Sequence, residues 1–207
     1  MHPPECAARP RILRMATASR IDLTNQFLIA MPGMADETFE RSVVYLCEHN
    51  ERGALGLVIN KPIDIKLKNL FDKVELKLDR KELGEQPVYF GGPVQTERGF
   101  VLHEKRGEGT AQFNSTLSIP GGLEMTTSKD VLEALADGSG PARVLVTLGY
   151  SGWQAGQLED EIGRNGWLTV DADPAVIFDT PVEQRYDRAV GLLGFDPRML
   201  SHEAGHA

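Results

Sequence analysis

Residues Ser42–Asn60, SVVYLCEHNERGALGLVIN, hold two apolar runs on either side of a polar loop that closes on glycine. Ser42–His49 alternates well enough to read as a strand, and Ala54–Asn60 reads as its partner. Asn50-Glu51-Arg52-Gly53 has the composition of a hairpin loop. A hairpin demands antiparallel pairing. The rest of the chain lacks the regular strand–helix alternation of a doubly wound fold. The expected class is therefore α+β, one domain, with a mixed and mainly antiparallel sheet.

Upstream, Leu23–Met31 is strand-like and stops at Pro32-Gly33-Met34. Asp36–Arg41 reads as a single helical turn capped by Asp36. The first twenty residues are rich in Pro, Ala and Arg without a period, which predicts a disordered extension in which Met15 offers a second start. Downstream, Lys61-Pro62 closes the hairpin, and Leu67, Leu70, Phe71 and Val74 predict a helix over Lys66–Val74. Gln86–Phe90 and Gly99–Glu104 read as strands, with Gln95–Arg98 as a turn. Ser115–Ile119 and Leu123–Thr126 read as two more, joined at Pro120-Gly121-Gly122. Thr127 and Asp130 fit a capping box for a helix that Gly138 closes.

Ala142–Ile162, ARVLVTLGYSGWQAGQLEDEI, organises the second half. Val144–Leu148 predicts a buried strand, and Gly149-Tyr150-Ser151-Gly152 a sharp turn. Ser151 and Gln154 have capping-box spacing, so the helix is expected to begin at Ser151 and to end at Gly163. Its free N–H groups would face a glycine-rich turn, which suits a small anion or metabolite. Trp167–Val170 and Val176–Phe178 read as strands. Thr180-Pro181-Val182-Glu183 reads as a helix start, with Tyr186, Val190 and Leu193 on the packing face. In all, about eight or nine strands and four helices are expected over residues 21–198, followed by a disordered tail over 199–207.

Composition is that of a globular protein with a formal net charge of −8, which argues against binding nucleic acid through the whole surface. Two cysteines, Cys6 and Cys47, do not make a disulfide framework, so a reducing, cytoplasmic setting is expected. Nothing approaches the roughly 20 apolar residues of a membrane helix.

Several motifs carry chemistry. His202-Glu203-Ala204-Gly205-His206 matches H-E-x-x-H, but it sits in the last six residues, Gly205 weakens a helix there, and no third ligand is expected downstream. The zinc-protease reading is rejected, and no metal or cofactor is expected. Gly149-Tyr150-Ser151-Gly152-Trp153 has Trp where a nucleophile elbow needs glycine, and no suitable histidine follows, so a serine hydrolase is also rejected. Cys47 and His49 lie two apart on a strand and hence on one face. A protonated His49 would lower the thiol pKa, giving a reactive cysteine. Trp153 and Trp167 read as core pieces, and Gly91-Gly92-Pro93 as a turn.

Four blocks, QFLIAMPGM (Gln26–Met34), VYLCEHNERGALGLVINKP (Val44–Pro62), YFGGPV (Tyr89–Val94) and GYSGWQAGQLEDEI (Gly149–Ile162), resemble the AlgH/YqgE family of bacterial proteins, in the family's order. The resemblance implies a bifurcated sheet folded into a pseudo-barrel. One branch of that family is named as a regulator of alginate synthesis, so the resemblance implies control of gene expression; it brings no established catalytic residue. The functional expectation is a cytoplasmic protein, more an interaction protein than an enzyme, that acts through a protein or small-molecule partner rather than through DNA. Its alternatives are a thiol-dependent protein using Cys47 and His49, and an anion binder at Gly149–Gly152. The ligand and redox candidates are Cys47, His49, Tyr89, Gly91, Gly92, Gly149, Tyr150, Ser151 and Gly152.

Overall fold

The computed structural model describes residues 21–34, 36–107 and 110–194. The N-terminal extension, Cys6 and the H-E-x-x-H tail lie outside the described residues. Ten strands form one curled, mainly antiparallel sheet with short helices packed on it. In chain order the strands are β1 (Gln26–Ala30), β2 (Val43–Asn50), β3 (Gly53–Val58), β4 (Pro62–Lys66), β5 (Pro87–Phe90), β6 (Val94–Glu104), β7 (Thr116–Ile119), β8 (Leu123–Thr126), β9 (Val144–Gln154) and β10 (Trp167–Asp171). The helices are α1 (Leu67–Lys73), α2 (Lys81–Gly84), α3 (Asp130–Asp137), α4 (Gln157–Gly163), α5 (Pro174–Phe178) and α6 (Arg185–Gly191).

The expected hairpin is present as β2–β3, from Val44↔Val58 to Asn50↔Gly53. The sheet forks at β9. Along one edge, the first half of β9 pairs in parallel with β5 (Tyr89↔Thr147) and the second half pairs antiparallel with β3 (Gly56↔Ser151). Along its other edge β9 pairs with β6. A strand with three partners splits the sheet into two wings, which is the expected bifurcation, and the sheet curls into a half-barrel.

Both faces of the sheet are covered, so the strands read as continuous apolar runs. In β2, Val43, Tyr45 and Cys47 point into one core with Phe27, Ile29 and Leu102, closed by Val176 and Ile177 of α5 and Tyr186 of α6. Val44 and Leu46 point the other way, toward Leu158 of α4 and the two tryptophans. A third cluster lies between α1, α3 and the strands β5, β6 and β9.

Several local expectations are corrected. No helix starts at Ser151. Residues 149–154 continue β9, because pairing with β3 satisfies their backbone and buries Trp153. The helix begins at Gln157 after Gly156, whose φ of 78° makes the turn, and it runs through Gly163 to a cap at Arg164. Val176–Phe178 belongs to helix α5 rather than a strand: Asp173 accepts the Ala175 N–H and Pro174 occupies the first turn. Gln95–Arg98 lies within β6, as an irregularity between Val94 and Gly99 rather than a free turn. Pro62 does not end pairing but opens β4 against β5. Thr127 does not cap α3, whose N-cap is Lys129; Gly138 does close that helix at φ 83°. Thr180 bonds back to the Ala175 carbonyl, and α6 is preceded by a 3-10 turn over Val182–Gln184. Asp36 caps a turn by accepting the Thr38 N–H, without a helix following.

Candidate functional site

The two glycine motifs meet. Gly91 and Gly92 cross directly over Gly149, Tyr150 and Ser151 of β9. The Gly91 N–H donates to the Leu148 carbonyl at 2.9 Å, and the Gly91 carbonyl accepts from the Val58 N–H at 2.9 Å and from Ser151 Oγ at 3.1 Å. A Cβ on Gly91 would lie 2.1 Å from the Gly149 oxygen; one on Gly92 would lie 2.2 Å from the Tyr150 carbonyl carbon. Glycine is required here because two backbones touch. The junction is packed by protein. Gly152, farther along β9, is exposed and pairs with Leu55. Ser151 is buried, and its hydroxyl locks the crossing rather than capping a helix. The anion expectation at this turn loses its basis. The helix terminus lies beyond it at Gly156, and the first turn of α4 carries Glu159 and Asp160.

Cys47 and His49 are separated by a β-bulge. Pairing skips from Leu46↔Gly56 to Glu48↔Leu55, which leaves Cys47 unpaired. One extra residue inverts the alternation beyond it. Cys47 stays with Tyr45 in the first core, whereas His49 turns to the opposite face. There the Leu23 N–H donates to His49 Nδ1 at 3.0 Å, so the neutral ring carries its proton on Nε2, which contacts Glu159 Oε1 at 3.1 Å. Cys47 is fully buried, and burial pushes its thiol pKa up, with Glu48 adding to the shift. The expectation of a thiol activated by His49 is corrected on both geometry and direction. Tyr89 and Tyr150 also touch the core that holds Cys47, but as packing rather than as walls of a shared cleft.

A well-formed concavity lies elsewhere, at the far end of β9. It is a cleft of about 630 Å³ between the loop after β1, one face of α4 from Gln157 to its cap Arg164, and the start of β10. Phe39, Trp153 and Trp167 form its aromatic wall, with ring centroids 5.5–6.4 Å apart. Met31 and Met34 extend the apolar surface. Glu161 of α4 organises the wall. Its Oε2 accepts both indole N–H groups, from Trp153 at 2.9 Å and Trp167 at 2.8 Å, while Oε1 accepts from Gln157 Nε2 at 2.9 Å. Asp36 and Arg164 stand at the edge. The tryptophans are core pieces, as expected, and also the wall of a cleft. Phe39 and Glu161 had no signal in the sequence, since nothing local says that two indoles converge on one carboxylate.

A second cleft, of about 450 Å³, opens between β5, the start of β9 and the segment from α5 to α6. Arg185 lies in it, nine-tenths buried and 4.9 Å above the Tyr89 ring. Its Nε donates to the Thr180 carbonyl at 3.0 Å and its Nη1 to the Ile59 carbonyl. Among the described residues no group of three His, Cys, Asp or Glu side chains is placed to hold a metal.

The profile of the AlgH-like family, DUF179, matches residues 27–198. The chain belongs to the AlgH-like family. It is 70% identical over 187 residues to a UPF0301 protein of Ralstonia nicotianae, covering 90% of this chain and 96% of that one. It is 68% identical over 190 residues to a UPF0301 protein of Burkholderia vietnamiensis, covering 92% and 98%. The solution structure of the AlgH protein from Pseudomonas aeruginosa superposes with a TM-score of 0.72 at 48% identity, over 93% of this chain and all of that one. A Corynebacterium diphtheriae protein, DIP2367, shares the AlgH-like fold at a TM-score of 0.63 and 21% identity, over 82% and 87%.

Proposed function

We propose that this AlgH-like protein acts by binding, and that the tryptophan cleft is where its partner docks. The observation that carries this is an apolar cleft lined by Met31, Met34 and Phe39 and backed by two indoles that Glu161 holds in place. Rigid aromatic surface lowers the entropy cost of association. Asp36 and Glu161 outnumber Arg164 by one charge at the cleft, which favours a cation beside the apolar group, so the partner presents an apolar side chain flanked by Lys or Arg. The net charge of −8 favours the same partner. Regulation of gene expression, if exerted, runs through that partner rather than through DNA. The longest described helix, α3, has eight residues, and the overall charge repels phosphates. The cytoplasmic setting belongs to the same proposal; among the described residues no helix is long and apolar enough to cross a membrane.

Both tryptophans of the chain line the cleft, so intrinsic fluorescence reads it directly. A partner captured from host lysate should shift the emission of the purified protein and lose affinity at least about tenfold on Asp36→Lys or Met34→Glu. A partner that binds both variants unchanged and leaves the emission still would refute the cleft as the docking site. A gel shift at low salt should show no retention of duplex DNA.

A further inference from the structure

The second cleft carries a feature that packing alone leaves unbalanced. Buried charges are ordinarily paired. Arg185 is 6% exposed, yet among the described residues no carboxylate lies within ion-pair distance of it. Asp187 pairs with Arg41, and Asp179 pairs with Arg143. The two carbonyls that accept from Nε and Nη1 satisfy hydrogen-bonding groups but supply no countercharge. Burial accordingly pulls the guanidinium below its ordinary pKa, only partly offset by Tyr89 and Glu183. The same residue lines a concavity that also holds Arg143 and Arg80, three arginines against the two carboxylates of Glu82 and Asp179.

We propose that the Arg185 cleft binds a small oxyanion, a phosphate or carboxylate group carried by a metabolite, which supplies the missing countercharge. The planar guanidinium is anchored by its two carbonyls and lies over the Tyr89 ring. A fork fixed in this way is preorganised to receive a planar or tetrahedral oxyanion. Arg143 sits at the rim, its charge spent on Glu104 at 2.5 Å and Asp179 at 2.7 Å. It therefore neutralises acids that would otherwise repel the ligand. This site is independent of the tryptophan cleft.

The test uses the full chain with its arginine Nε–Hε and Tyr89 ring resonances assigned. It is titrated with inorganic phosphate and, separately, with succinate, at constant ionic strength set by sodium chloride. The expected result is a saturable shift of the Arg185 and Tyr89 signals, half complete at about 1 mM or below. Saturation by phosphate alone identifies a phosphorylated ligand, and by succinate alone a carboxylate. Arg185→Lys keeps the charge but not the fork, so the half-saturation concentration should rise at least about tenfold. Absence of saturation by either anion up to about 20 mM in the folded wild-type chain overturns the site. So does an unchanged affinity in Arg185→Lys. The wild-type titration decides the matter if that variant does not fold.

Discussion

Glu161→Ala removes one carboxylate and strands two indoles. In the native protein Glu161 Oε2 receives Trp153 Nε1 at 2.9 Å and Trp167 Nε1 at 2.8 Å, and both tryptophans are buried, at 7% and 3% exposure. A hydrogen bond to a charged acceptor contributes about 1.5–3 kcal/mol, so two set an upper bound near 6 kcal/mol. The cleft is open to water, which can reach one of the two donors and recover part of that. The expected loss is therefore about 2–4 kcal/mol. For a domain of this size each kcal/mol corresponds to about 2–4 °C in Tm. Glu161→Gln keeps an acceptor without the charge, and neutral bonds are roughly half as strong, so about 1–2 kcal/mol is expected there. Urea unfolding followed by tryptophan emission and by far-UV circular dichroism gives both values. Near-UV dichroism of the paired indoles should weaken in the alanine variant. If Glu161→Ala unfolds within about 0.5 kcal/mol of wild type with an unchanged near-UV spectrum, the carboxylate does not hold the aromatic wall.

Three further outcomes follow from the geometry. Gly91→Ala, with its Cβ 2.1 Å from the Gly149 oxygen, should cost about 3 kcal/mol or more or prevent folding, whereas Gly99→Ala, with nothing within 4 Å, should change stability by less than about 0.5 kcal/mol in the same urea assay. Cys47 should resist alkylation in the native protein, reacting at least ~10³-fold more slowly than in the unfolded chain, as intact-mass kinetics would show; rapid native labelling would contradict its burial. His103 is buried, with Nε2 against Thr126 Oγ1 and Nδ1 against the Glu104 carbonyl, and burial lowers its pKa. The unfolded imidazole binds its proton near pH 6.5 and the folded one resists, so the unfolded state takes up more protons as pH falls. Stability should be full above about pH 6.5 and decline below it, with His103→Gln flattening that segment of the curve. The lowered carboxylates Glu104 and Asp130 act in a separate window, their contribution being lost only below about pH 4.5.

Local chemistry decides several elements. The β2–β3 hairpin follows from two apolar runs and a loop ending in glycine. The β7–β8 hairpin follows from Pro120-Gly121-Gly122, and α3 ends where Gly138 can adopt a left-handed conformation. The family blocks carried the bifurcated sheet. The errors have two causes, a long-range alternative and a local signal that outweighs apolar patterning. Ser151 and Gln154 have the spacing of a helix cap, but the chain there has a better alternative in the ladder to β3, nearly a hundred residues away. Val176–Phe178 is apolar enough for a strand, yet Asp173 and Pro174 start a helix that covers the sheet.

The candidate sites divide in the same way. The sequence by itself marked Gly91, Gly92, Gly149 and Gly152 as turn positions; only the tertiary structure showed that the first three leave no room for a Cβ where two backbones cross, while Gly152 is exposed. It determined that Cys47 lies in a strand, but one bulged residue, invisible in the pattern, sent His49 to the opposite face. Tertiary structure alone brought Trp153, Trp167 and Phe39 onto a single wall around Glu161, and buried Arg185 against Tyr89 with no carboxylate within ion-pair distance among the described residues. The physical reason is range. Turn and cap preferences are set by a few neighbouring backbone angles, whereas convergence of side chains depends on which strand pairs with which, and β9, with three partners, decides that for most of the molecule.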